Sequence, residues 1–256
     1  EMKPAMDMLK SWGLKVQAGK NLFREDRQFA GTDEERAADI QKALNSKTCK
    51  AILFARGGYG TVRIVDRLDW SRFLKNPKWL IGFSDITVLH SHVHRHLGME
   101  TMHAPMALTF PKMSPACNSV LKNTLFGQRV RYTWKPKQEH LSLQRPGACK
   151  GVLVGGNLSI IYSLMGTPSE IDTNGKVLFL EDLDEYLYHI DRMMMNLKRS
   201  GKLQNLAGLI VGGFTDMHDN QIPFGKNAYE IILEHVSEFN YPVCFSFPAG
   251  HIADNR

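Results

Sequence analysis

The sequence has no C-x-x-C pair: its four cysteines, Cys49, Cys117, Cys149 and Cys244, are widely separated. That spacing argues against a thiolate zinc site or a disulfide framework and fits a reducing, cytoplasmic compartment. No apolar run approaches the roughly 20 residues needed to span a bilayer, so no membrane partner is expected. No stretch reads as a signal peptide. Basic residues never cluster in blocks of five or six. The 32 Lys and Arg exceed the 26 Asp and Glu by only six charges over 256 residues. A nucleic-acid partner is therefore not expected, and the charge reads as a generic basic surface. There is no internal repeat and no low-complexity segment. The remaining composition, 43% hydrophobic and 23% charged, is that of a globular chain long enough for one large or two small domains.

What is present is an alternation of helical and strand patterns. Pro4 to Trp12 reads as a helix, and Leu14-Lys15-Val16 as the start of a strand. Thr32 with Glu35 forms a capping-box pattern for a helix whose apolar face is Ala37, Ile40, Ala43 and Leu44. Ala51 to Ala55 reads as a buried strand, Thr61 to Leu68 as a helix, Lys78 to Phe83 as a second buried strand and Ile86 to Leu97 as a helix. Residues 111–147, with four prolines and weak periodicity, read as a connector. Beyond it, strands are expected at 151–154, 177–180, 206–211 and 242–245. Helices are expected after Asn157, over Tyr186 to Ser200 and over Ala228 to Phe239. This alternation predicts an α/β fold: an N-terminal parallel-sheet domain, residues 1–135, and a second, smaller α/β domain, residues 136–256. The chain opens on Glu1 and trails off over 253–256. A first strand of the parallel sheet is expected to be missing.

Several residues could carry chemistry. Ser84 lies where a buried strand turns into a helix, with Gly82 two residues before it. It reads either as the N-cap of that helix or as a nucleophile pushed out of the strand plane. The loop Gly57-Gly58-Tyr59-Gly60 matches neither nucleotide-binding glycine pattern; it is a tight turn or a source of oxyanion-stabilising N–H groups. Glu181 and Asp182 close a strand and either face a site or cap a helix. Asp182, Asp184 and Glu185 read as a solvated acidic turn, and Glu185 shares a helix face with His189. His90, His92, His94 and His96 alternate on a helix without a third metal ligand nearby, so no metal is expected. His103 and His251 read by default as loop histidines exposed to solvent.

Together, Arg56-Gly57-Gly58-Tyr59-Gly60, Gly82-Phe83-Ser84-Asp85-Ile86-Thr87, Gly155-Gly156-Asn157-Leu158, Leu180-Glu181-Asp182 and Gly250-His251 resemble, in order, the motifs of the LD-carboxypeptidase family of serine peptidases. This family includes murein tetrapeptide carboxypeptidases and microcin-immunity proteins. The resemblance runs from about residue 4 to residue 251. It departs from the family at His103-Ala104-Pro105, where a glycine usually follows the histidine. The resemblance implies a Ser84-Glu181-His251 triad in a cleft between the domains, with Asp85 and Gly57 or Gly58 supplying the oxyanion hole. It implies Arg56, Asn157 and His103 as substrate-binding residues, no cofactor, a small murein-peptide substrate and a homodimer. The implied reaction releases a terminal D-alanine from a murein tetrapeptide. The other readings are hydrolysis of a peptide-nucleotide and a non-catalytic muropeptide-binding protein.

Overall fold

The computed structural model describes residues 2–255, which divide into two compact units at Gln128/Arg129. In the first, strands β1 (Ala51–Leu53), β2 (Trp79–Gly82) and β3 (Met102–His103) form a parallel sheet in that order. Five helices accompany it: α1 (Lys3–Ser11), α2 (Asp33–Asn45), α3 (Ser71–Lys75), α4 (Thr87–Leu97) and α5 (Pro115–Leu125). The expected capping box is formed. Thr32 accepts from the Glu35 N–H, and Glu35 accepts from the Thr32 N–H. The far end of α2 is held by Lys78, whose buried ammonium donates to the Leu44 and Ser46 carbonyls at 2.8 and 2.9 Å. A cation at that end also complements the helix dipole. Helix α4 is buried on all sides from Thr87 to Val93, which fixes the angle at which its N-terminus meets β2.

The second unit carries β4 (Leu153–Asn157), β5 (Val177–Leu183), β6 (Gly208–Thr215) and β7 (Val243–Cys244), all parallel and in that order. Helices α6 (Leu158–Ser163), α7 (Leu187–Arg199) and α8 (Ala228–His235) complete it. The inward stripe of α7 is Ile190, Met193, Met194 and Leu197, spaced i, i+3, i+4, i+7. It packs in one core with Leu178, Leu180, Val211, Ile231 and Phe245. The α/β class with two parallel sheets agrees with the sequence reading. The size difference does not: the units span equal lengths. Part of the proline-bearing segment folds with the second sheet. Arg145 bridges to Val243, and its guanidinium donates to the Phe239 and Val236 carbonyls at 2.6 and 3.1 Å. His140 meets the Ser246 hydroxyl at 2.6 Å.

Other local expectations are corrected. Residues 111–147 are not all connector, because they contain α5. Ser114 caps that helix by accepting from the Cys117 N–H, and Pro115 occupies the first turn, where a proline starts a helix rather than breaking it. Thr61 to Leu68 forms two short 3-10 turns, Thr61–Arg63 and Val65–Arg67. Leu14 to Val16 has the alternation of a strand but makes no ladder among the described residues. β1 is a half-exposed edge, not a buried strand.

The capping box gives a direct stability test. Thr32→Ala should cost about 1 kcal/mol, read as a lower urea midpoint at unchanged slope.

Candidate active site

In the first unit, the geometry centres on the turn that follows β2. Ser84 has φ +63°, a left-handed conformation that a serine adopts only when its surroundings impose it. From Leu80 to Val93 every residue is buried except Ser84. It does not cap α4, whose preceding residue, Ile86, makes no side-chain cap. The strain instead turns the serine out of a buried run, as at a nucleophile elbow. The glycine loop passes directly over it. A Cβ at Gly57 would sit 2.8 Å from Ser84 Cβ, 2.9 Å from its Oγ and 3.3 Å from the Asp85 nitrogen, so only glycine fits. Asp85 locks the two segments together, accepting from the Thr61 N–H at 2.9 Å and the Thr61 hydroxyl at 2.6 Å. Burial pushes the Asp85 carboxyl up, and the Thr61 bonds oppose that shift.

Behind the turn, His90 Nε2 lies 2.9 Å from the Gly82 carbonyl, two residues before the serine. His103 is not in a solvent loop: it pairs with Gly82 in β3, and its ring lies 5.7 Å from that of Phe83. Arg56 lines a cleft of about 560 Å³ together with Gly57, Gly58, Tyr59 and Asp85. Arg24, Arg27 and Arg36 line it too, but they pair with Glu35, Asp26 and Asp33. Arg56 is exposed and has no such partner among the described residues, so its charge is available to a ligand.

In the second unit, Glu181 is fully buried at the end of β5. Its Oε2 accepts twice from His251, from ring Nδ1 at 2.7 Å and from the backbone N–H at 3.2 Å. His251 is therefore not an exposed loop histidine; its side chain keeps 17% of its surface. The bond to Glu181 places the ring proton on Nδ1 and makes Nε2 the basic nitrogen. Two features bring the histidine there. Gly250 has φ +108°, and a Cβ on it would meet Glu181 Cβ at 2.8 Å. Opposite Glu181, the register of β6 slips at Gly212-Gly213, and the Gly213 N–H donates to the Ala249 carbonyl at 2.9 Å. That bulge was not singled out from the sequence, although paired glycines inside a strand are its usual signal.

The two readings of Glu181-Asp182 divide between the two residues. Glu181 faces His251, whereas Asp182 joins the α6 terminus, accepting from Ser159 N–H and Asn157 Nδ2 at 2.9 and 2.8 Å. Burial, then the neighbouring Glu181, pushes the Asp182 carboxyl up to about 7. Asn157 directs its amide at Asp182 and its carbonyl at the Ile160 N–H, so its side chain is committed to α6. His189 pairs with Glu185 and His218 with Asp184, both at 2.6 Å. Among the described residues, no group of three or more ligating side chains could hold a metal, and no helix is long and apolar enough to cross a membrane.

Comparison with known proteins decides the family. The LD-carboxypeptidase N-terminal domain matches residues 1–104, and the LD-carboxypeptidase C-terminal domain matches residues 150–256. A probable murein peptide carboxypeptidase of Bacillus subtilis is 37% identical over 98% of this chain and 79% of its own length. The chain belongs to the LD-carboxypeptidase family. As an LD-carboxypeptidase family member it is a serine-type peptidase. The murein tetrapeptide carboxypeptidase of Pseudomonas aeruginosa is 30% identical, covering all of this chain and 84% of its own. The solved muramoyltetrapeptide carboxypeptidase of Oxalobacter formigenes superposes with a TM-score of 0.87 at 29% identity, covering 99% of this chain and 85% of that one. The microcin C7 self-immunity protein of Escherichia coli is more distant, 24% identical over 96% of this chain and 79% of its own.

The wall behind Ser84 should be acid-sensitive. Burial lowers the His90 ring from 6.5 to about 4, and His103 adds to the effect. The folded state therefore binds fewer protons than the unfolded chain between those values. The stability contribution is complete above 6.5 and is lost as pH falls through about 4, amounting to about 3 kcal/mol. Urea unfolding from pH 7 to pH 4 should show a decline that is flatter in His90→Gln, which keeps a donor toward Gly82.

Proposed function

We propose that this family member is a serine LD-carboxypeptidase that releases terminal D-alanine from a murein tetrapeptide, with Ser84, His251 and Glu181 as its triad. The observation that carries the reading is the buried Glu181–His251 bond at 2.7 Å, which leaves Nε2 as the basic nitrogen. The strained, outward Ser84 supports it from the other unit. The relatives named for murein peptides, at 37% and 30% identity, favour that substrate over a peptide-nucleotide, whose relative stands at 24%.

His251 Nε2 takes the Ser84 proton as Oγ attacks the carbonyl carbon before D-alanine. Glu181 fixes the imidazole tautomer and stabilises its charged form. The Asp85 N–H, with that of Gly57 or Gly58, receives the developing oxyanion. The protonated His251 then gives its proton to the leaving amine, and free D-alanine departs. Water, activated by the same His251, hydrolyses the acyl-serine and restores the enzyme. Arg56, which has no carboxylate partner among the described residues, binds the terminal carboxylate that only a carboxypeptidase substrate offers. His103 forms the pocket wall behind Phe83, and Asn157 acts through Asp182 rather than on substrate. The same reading has a homodimer recycling murein peptides in the cytoplasm, in keeping with four free cysteines.

D-alanine release from purified tetrapeptide tests this. Ser84→Ala and His251→Ala should each lower kcat by about 10⁴-fold or more, and the double variant should fall no further, because the residues act as one unit. Glu181→Gln should fall by about 10⁴-fold. Wild-type turnover in Ser84→Ala would overturn the assignment. Arg56→Ala should raise KM for tetrapeptide about tenfold or more, through loss of a charge-assisted pair.

A further inference from the structure

The loops that follow β5 and β6 form a surface the hydrolytic steps do not use. They are joined by backbone bonds, Leu187 N–H to His218 carbonyl and His218 N–H to Glu185 carbonyl, each 2.9 Å. Asp184 closes the join through His218 Nε2 at 2.6 Å. The Tyr186 ring lies 5.4 Å from that of His218 and 5.6 Å from that of Tyr188. The Arg192 guanidinium sits over the Tyr188 ring at 5.1 Å. None of these rings belongs to the inward stripe of α7; Tyr186 and Tyr188 keep 43% and 40% of their surface. Asp184 and His218 are more exposed still.

This rim is continuous with the catalytic histidine. The Thr215 hydroxyl donates to the His251 carbonyl at 3.3 Å, and the Thr215 carbonyl accepts from the Asp184 N–H at 3.0 Å. Four residues, His251, Thr215, Asp184 and His218, thus form one bonded chain from the base to the aromatic wall. Exposed rings with a carboxylate, an imidazole and a guanidinium among them suit one ligand chemistry well. Ring faces take the apolar C–H face of a pyranose, while the polar groups take its hydroxyls and its N-acetyl carbonyl.

We propose that Tyr186, Tyr188, Asp184 and His218 form a subsite for the sugar of a muramoyl peptide, so that the enzyme prefers a tetrapeptide carrying its amino sugar over the free tetrapeptide. The proposal rests on the murein-peptide reading above and deepens it by assigning residues to the non-peptide end of the substrate.

The test compares kcat/KM for the free tetrapeptide and for the same tetrapeptide bearing N-terminal N-acetylmuramic acid. The wild type should favour the sugar-bearing form by about three- to tenfold, carried by KM. In Tyr186→Ala/Tyr188→Ala that ratio should approach one, with a thermal melt confirming the fold. A wild-type ratio of one, or an unchanged ratio in the folded variant, overturns the subsite. A second readout needs no rim substitution: N-acetylmuramic acid titrated into the Ser84→Ala protein should shift the His218 ring signals, and no shift at saturating sugar overturns the proposal. A wild type that releases D-alanine from both substrates without the preference refutes only the subsite. Activity of Ser84→Ala on both substrates would refute the triad instead.

Discussion

A fully buried carboxylate governs the second unit. Removing an ionised Glu181 from water costs several kcal/mol unless its charge is met by donors. His251 supplies two, its ring and its own backbone N–H, to one oxygen. Both donors can reach that oxygen only if the backbone at Gly250 runs against the Glu181 side chain, which its positive φ and missing Cβ permit. The loop bearing Gly250 must also rest on β6, and the slipped register at Gly212-Gly213 gives it a seat on the Gly213 N–H. One electrostatic requirement thus selects the glycines, the bulge and the course of the chain over residues 249–252.

The first unit solves a different problem with the same means. A serine must leave a buried run without dragging the strand out with it. Helix α4, buried from Thr87 to Val93, and β2, held at Gly82 by His90, leave the connecting turn one conformation. Ser84 takes the strained φ, and Asp85 returns binding energy by gripping Thr61. That grip draws the Gly57–Gly60 loop over the serine, so the strain and the close backbone approach form one coupled arrangement.

Much of this was legible in the sequence because it is local. The capping box at Thr32, the α7 stripe and the strand-to-helix turn at Ser84 are short-range patterns with one physical meaning. The pieces that misled depend on partners far along the chain. Pro115 reads as a breaker until Ser114 is seen to cap a helix that starts on it. His103 and His251 read as loop residues because neither has a local pattern; β2 makes the first a strand residue, and Glu181 draws the second inward. The Gly212-Gly213 bulge carried a readable signal. Its purpose lies far along the chain: a Cβ on Gly212 would meet the Ala249 carbonyl at 2.5 Å, and one on Gly213 would meet Ile252 at 2.6 Å.

The adjacent carboxylates of β5 show how far local chemistry divides neighbouring residues. Successive side chains on a strand point to opposite faces, so Glu181 and Asp182 meet different partners although one bond links their backbones. Glu181 receives a titratable donor, whereas Asp182 receives three N–H donors, from Asn157, Ser159 and Leu183, none of which ionises. Asp182 is therefore a fixed acceptor that anchors α6 beside the register pair Asn157 and Glu181. Burial, and then the neighbouring Glu181, makes the Asp182 carboxyl harder to ionise. Glu181, fully buried and bonded by both the ring and the backbone N–H of His251, is held on the other face of the strand from that anchor.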